Sequence, residues 1–169
     1  DPVVSRKELG FNEKPLILSM GGSLGSKEIN KAIVEVIASH MHDDDYNFMV
    51  STGQNGLWVP DKLRDRGVDV DKSPNLQVRT YINDMDRCLS AADVVICRAG
   101  ASSLSEIQAL GKPSILIPSP NVTENHQYHN AMALVNKDAA VIIEEKDLSG
   151  RVLGNAIDNL VRDKKRYAQ

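Results

Sequence analysis

With 169 residues and a net charge of −3, the chain is about one domain long and mildly acidic. A hydrophobic content of 41% is enough for a buried core, while 4% aromatic residues and no basic excess argue against nucleic-acid binding. No apolar run approaches the roughly 20 residues of a membrane-spanning helix. None reads as a secretory signal either, so Asn121-Val122-Thr123 is taken as a chance match to a glycosylation acceptor. Cys88 and Cys97 are too few for a disulfide framework or a zinc site, and Cys97 reads as a buried small residue in a reducing compartment.

Along the chain, Asp1–Val4 reads as extended, and Arg6–Leu9 as one helical turn. A strand is then predicted at Leu16–Met20, a helix at Lys27–Met41, a strand at Asn47–Ser51 and a helix at Leu57–Arg66. Strand Leu76–Arg79, helix Asn83–Ala91, strand Asp93–Cys97 and helix Ser103–Leu110 follow. The last four elements are strand Ser114–Ile117, helix Asn125–Lys137, strand Ala140–Ile143 and helix Ser149–Tyr167. Short apolar strands alternating with amphipathic helices indicate a parallel sheet covered on both faces. Residues 16–169 form the domain, and 1–15 read as a link and lead-in. The last helix carries no stop signal, which suggests a piece of a larger protein.

Ligands of such sheets bind beyond the carboxyl ends of the strands. Three motifs fall there. Gly21-Gly22-Ser23-Leu24-Gly25-Ser26 follows the first strand, with glycines that permit close backbone approach; a plain turn with Ser26 as N-cap explains it equally well. It has neither dinucleotide-fingerprint nor P-loop spacing.

The most informative stretch follows the fourth strand: Arg98-Ala99-Gly100-Ala101-Ser102-Ser103, then a helix with Glu106 in its first turn. A helix start offers free N–H groups and the positive end of the dipole, a ready seat for phosphate. A carboxylate one turn in can accept hydrogen bonds from a sugar diol. Phosphate seat plus diol clamp points to a nucleotide sugar. The competing explanation is a capping box with Ser103 as N-cap and Glu106 three residues on.

The third motif runs from Pro118-Ser119-Pro120 into His126, Gln127 and Asn130, neutral hydrogen bonders suited to sugar hydroxyls. His126 and His129 are three apart, but no third ligand lies near enough in sequence to favour a metal. In Tyr81-Ile82-Asn83-Asp84-Met85, Ile82 and Met85 could face a flat base, or simply pack in the core. No nucleophile elbow and no carboxylate pair for hydrolysis stands out.

In order, Gly-Gly-Ser-Leu-Gly-Ser at 21–26, Tyr-Ile-Asn-Asp-Met at 81–85, Cys-Arg-Ala-Gly-Ala-Ser-Ser-Leu-Ser-Glu at 97–106, Gly-Lys-Pro-Ser-Ile-Leu-Ile-Pro at 111–118 and His-Gln-Tyr-His-Asn-Ala at 126–131 resemble the MurG family. These bacterial transferases add N-acetylglucosamine to lipid I in peptidoglycan synthesis. The resemblance covers essentially the whole chain, but only the carboxyl-terminal half of the family's two-domain enzyme. It implies an α/β, Rossmann-like parallel sheet with helices on both faces, the C-terminal domain of a GT-B glycosyltransferase.

It further implies that this half binds the donor UDP-N-acetylglucosamine (UDP-GlcNAc). Glu106 would hold the ribose, and Ser103 with the N–H groups of Ala101 and Ser102 would take the diphosphate, with Gly22 and Ser23 close by. Ile82 would meet uracil through its main chain, and His126, Gln127 and Asn130 would read the sugar. No cofactor or metal is implied. Lipid I and most of the membrane contact would belong to the other half, in an inverting enzyme on the cytoplasmic face of the membrane. This half alone would bind donor without turnover. The family's link arginine is absent from Asp1-Pro2-Val3-Val4; Arg6 is a candidate substitute for its phosphate contact, at a different spacing. The alternatives are a stand-alone catalytic subunit of a split dolichol-pathway N-acetylglucosaminyltransferase and a non-enzymatic nucleotide-binding module.

Overall fold

The computed structural model describes residues 1–22, 24–120, 127, 131–132 and 140–168, with backbone alone at 101–103 and 164–168. Six strands form one parallel sheet: β1 Leu16–Met20, β2 Asn47–Ser51, β3 Leu76–Arg79, β4 Val94–Cys97, β5 Ser114–Leu116 and β6 Ala140–Ile142. Their order is β3-β2-β1-β4-β5-β6. The six strands expected from the sequence are all present, within one residue at each end.

Side chains of the inner strands alternate between two buried layers, as the two-residue strand period requires. Ile17, Phe48, Val50, Val94, Ile96 and Ile115 point to one face. They pack beneath α2 (Lys27–His40), α3 (Val59–Asp65) and α6 (Gly150–Ala168). Leu16, Leu18, Met20, Met49, Val95, Cys97 and Leu116 point to the other. There they meet α4 (Met85–Ala91), α5 (Ala101–Leu110) and the segment that follows α1 (Pro2–Glu8). Burial on both faces explains why β1, β2 and β4 are buried at every position and mostly apolar, with Ser19, Asn47 and Ser51 as the polar exceptions.

α6 crosses α2 closely: a Cβ on Gly150 would lie 2.4 Å from Glu35 Cβ. Among the described residues no helix is long and apolar enough to cross a membrane.

Several expectations need correction. The first residues are helical rather than extended: Asp1 caps α1 by accepting from Val3 N at 2.9 Å, and Pro2 suits the first turn. The helix expected from Leu57 starts at Val59, where Pro60 needs no intrahelical acceptor, after a 3-10 turn at Gln54–Gly56. α4 starts at Met85 after Asp84, whose backbone is non-helical at φ −105 and ψ 54 and whose carboxylate pairs with Arg79 at 2.9 Å instead of capping the helix. The expected helix 125–137 lies mostly outside the described residues; Gln127 and residues 131–132 are helical.

Arg6 sits at the amino ends of the strands. It pairs with Asp93 at 3.1 Å and donates to the Glu13 and Lys14 carbonyls at 3.3 Å. Asp93 in turn accepts from Leu16 N at 2.8 Å, at the first residue of β1. Arg6 therefore anchors the lead-in to the end of the sheet opposite the ligand loops and cannot supply a phosphate contact there.

Candidate functional site

The strand order reverses direction between β1 and β4, which are hydrogen-bonded neighbours. At such a switch point the loops leaving the two strands diverge and open a crevice. The loops that leave here are Gly21–Ser26 and Arg98–Gly100, two of the three motifs marked in the sequence. Chain separation had hidden their adjacency.

The glycines of the first loop have different duties. A Cβ on Gly25 would lie 2.0 Å from the Thr52 carbonyl oxygen, so this glycine seats the first loop against the loop after β2. Asn30 Nδ2 reinforces that seat by donating to Thr52 O at 3.0 Å. Gly22, at φ +89, has open space where a Cβ would go. Its carbonyl accepts from Gly25 N at 3.1 Å, and the open side where a Cβ would lie leaves room for a ligand to approach the loop. Ser26 caps α2 as expected, accepting from Ile29 N. Ser23 lies outside the described residues.

α5 begins at Ala101, two residues earlier than expected, with Gly100 as N-cap and no side-chain cap bond. The capping-box reading of Ser103 and Glu106 is therefore wrong: Ser103 lies within the first turn, and Glu106 in the second. Gly100 wins the cap position because it leaves the sheet extended, at φ −71 and ψ 148. The first-turn N–H groups of α5 have no intrahelical acceptor, and the positive end of its dipole faces the crevice side of the sheet. Nothing is described of the Ala101, Ser102 and Ser103 side chains. Glu106 is exposed, with no ion pair or hydrogen bond among the described residues. It stands three and four positions past Ser103 and Ser102, hence on their side of the helix, about one 5.4 Å turn along.

Arg98 holds the site together, a part the sequence motifs do not mark. Its Nη2 donates to Ser26 Oγ at 2.8 Å, and Nη1 to the carbonyls of Ile117 and Pro118 at 3.3 Å. The same guanidinium lies 2.7 Å from Glu145 Oε2, in the 3-10 turn Glu145–Asp147 after β6. One side chain thus ties the loops after β1, β4, β5 and β6 into one rim. An arginine directly after a fully buried strand was the available signal. Lys112 plays a comparable part elsewhere: its buried ammonium donates to Ser90 O and Ala92 O, carbonyls at the end of α4.

Ile82 is only 3% exposed and its side chain packs in the core and does not face a base; its main chain lies in the loop between β3 and α4. Gln127 accepts from Ser119 N at 3.0 Å, which places it beside the loop after β5. His126 and Asn130 lie outside the described residues. Cys97 is buried as expected, and burial pushes its thiol up to about 12.

Six parallel strands with glycine and helix-start loops meeting at the β1–β4 switch point define a Rossmann-like domain of the GT-B glycosyltransferase class. More narrowly, the chain belongs to the family described as the glycosyltransferase family 28 C-terminal domain, whose model matches residues 16–169. The chain is 43% identical over 166 residues to the UDP-N-acetylglucosamine–N-acetylmuramyl-(pentapeptide) pyrophosphoryl-undecaprenol N-acetylglucosamine transferase of Acetivibrio thermocellus, covering 98% of this chain and 44% of that one. The Desulforamulus reducens protein of the same name is 41% identical over 156 residues, covering 92% and 42%. Among solved structures, Acinetobacter baumannii MurG aligns with a TM-score of 0.74 at 27% identity, covering 94% of this chain and 43% of that one. The chain spans less than half the length of the curated relatives it matches.

Proposed function

We propose that this chain is the donor-binding half of an inverting N-acetylglucosaminyltransferase that takes UDP-GlcNAc and, with its other half, glycosylates lipid I to make lipid II. The observation that carries this reading is the placing of the Gly22 turn, open on its Cβ side, and the start of α5 at the same switch point, with Glu106, which has no partner among the described residues, one turn along. The diphosphate would lie over the first turn of α5, met by the N–H groups of Ala101, Ser102 and Ser103 and by Gly22 and Ser23. Glu106 would accept from both ribose hydroxyls. The Ile82 main chain would read the edge of uracil. His126, Gln127 and Asn130 would contact the sugar hydroxyls.

In the whole enzyme the lipid I hydroxyl oxygen would bond to the anomeric carbon as the bond from that carbon to UDP breaks. The hydroxyl proton would go to a base in the other half. Negative charge developing on UDP would be met by the dipole and N–H groups of α5, which needs no metal. Such an enzyme would work at the cytoplasmic face of the membrane, where its acceptor lies.

Calorimetry of the 169-residue chain with UDP, UDP-GlcNAc and ATP tests the reading. Binding of both uridine ligands and not ATP is expected. A preference for ATP, or no uridine binding by a folded chain, overturns it in favour of another nucleotide module.

A further inference from the structure

The contacts of the Arg98 guanidinium are unequal. Its Nη1 faces three oxygens: the Ile117 and Pro118 carbonyls, each at 3.3 Å, and Glu145 Oε2 at 2.7 Å. The two carbonyl bonds are long beside a usual N–H···O distance of about 2.9–3.0 Å, whereas the carboxylate lies in the charge-assisted range. Glu145 therefore decides where this edge of the guanidinium rests, and the two carbonyls follow it. Ser26 Oγ, 2.8 Å from Nη2, fixes the other edge of the planar fork.

Glu145 has no rival partner to draw it away. Arg98 is its one ion pair among the described residues, and the adjacent Lys146 turns to Glu144 instead, at 3.7 Å. The two side chains are only 23% and 20% exposed, so water and salt screen this pair less than a surface pair.

The pair also clasps both ends of one excursion of the chain. The connection from β5 to β6 leaves the sheet at Ile117 and Pro118, and the chain reaches Glu145 three residues after β6 ends at Ile142. Directly past Pro118, Ser119 N donates to Gln127 Oε1 at 3.0 Å. A continuous line of contacts thus runs from Glu145 through Arg98 Nη1 and the Pro118 carbonyl to Gln127. The parts assigned to the diphosphate have separate supports. Gly25 is seated on Thr52, and Gly100 opens α5 with no side-chain bond.

From this we infer that Glu145 is a positioning residue for the sugar half of the donor. Its carboxylate, acting through Arg98, sets the root of the loop after β5 and with it the place of Gln127. The inference deepens the proposed function and rests on it, since it takes Gln127 to read the sugar. It makes sugar recognition and diphosphate binding separable, with Glu145 governing the first.

Calorimetry of the 169-residue chain with UDP and with UDP-GlcNAc tests this, the readout being the ratio of the two affinities. Glu145→Ala should leave UDP affinity undiminished and lower the preference for UDP-GlcNAc over UDP by on the order of tenfold, the worth of one charge-assisted hydrogen bond. Glu145→Gln offers Arg98 an oxygen at the same reach and should restore part of the ratio. A merely structural role would lower both affinities together and leave the ratio alone. Glu145→Asp, one methylene short, should lower the ratio by about threefold or more. It decides the matter where urea unfolding shows that the alanine variant does not fold.

An unchanged ratio in a folded alanine or aspartate variant overturns the inference and leaves the donor reading standing. Equal loss of both ligands does the same. A folded wild-type chain that binds neither uridine ligand overturns both.

Discussion

Arg98 and Ser26 are 72 residues apart in the chain, yet Arg98 Nη2 donates to Ser26 Oγ at 2.8 Å. The bond joins the end of β4 to the N-cap of α2, across the point where the sheet reverses its order. Because the same guanidinium also holds Ile117, Pro118 and Glu145, the rim of the crevice has one central tie.

Arg98→Ala leaves Glu145 without its partner and frees four loops at once. Urea unfolding should show a loss of about 2–4 kcal/mol. Arg98→Lys keeps the charge but not the planar fork, and should recover less than half of that loss. Stability equal to wild type in the alanine variant would remove the tie from the fold.

Glu106→Ala should leave the unfolding curve unchanged, since the carboxylate is exposed and has no partner among the described residues. UDP binding measured by calorimetry should weaken by about 1–3 kcal/mol through lost charge-assisted bonds. Undiminished affinity in the folded variant places the ribose elsewhere.

Gly22 and Gly25 should separate function from folding. Gly25→Ala drives a Cβ into the Thr52 carbonyl at a positive φ, and should cost at least about 3 kcal/mol. Gly22→Ala meets only the backbone preference, about 1–2 kcal/mol, because its Cβ points into open space. Its larger effect should fall on UDP affinity. Reversal of the two orders of stability contradicts the division of roles.

The thiols give a pH prediction of definite sign. Burial, with the Asp84 carboxylate adding to it, pushes Cys88 up to about 11, and burial alone raises Cys97 to about 12. An unfolded cysteine titrates near about 8.5. The folded chain therefore holds these protons more tightly, and their contribution is complete below about pH 8.5. It is lost as pH rises toward 11 and 12. Urea midpoints should fall between pH 8 and 10, and fall less in Cys97→Ala. A thiol-specific disulfide reagent at pH 8 should label neither cysteine until the chain is unfolded.

Much of the fold was legible because its determinants are local. Apolar runs of four or five residues, buried on both faces, fix strands; Ser26 in front of a four-turn amphipathic stretch fixes α2. Boundaries failed where two local signals competed. At α5, Ser103 and Glu106 have capping-box spacing, but Gly100 can leave the strand extended and begin the helix earlier, so the cap moved. At the amino terminus Asp1 and Pro2 together form a helix start, which outweighs the extended preference of the valines that follow.

Spacing along the chain decides which residues form strands and which helices, and so already places the glycine loop and the Arg98–Glu106 stretch at strand ends. It cannot say which ends are neighbours. Only the order β3-β2-β1-β4-β5-β6 set those two loops side by side, gave Arg98 four partners from distant segments and sent Arg6 to the opposite end with Asp93. The physical reason is range. Backbone preference and side-chain period act over a few residues, whereas a site assembled from loops dozens of residues apart depends on how the whole sheet buries its two faces.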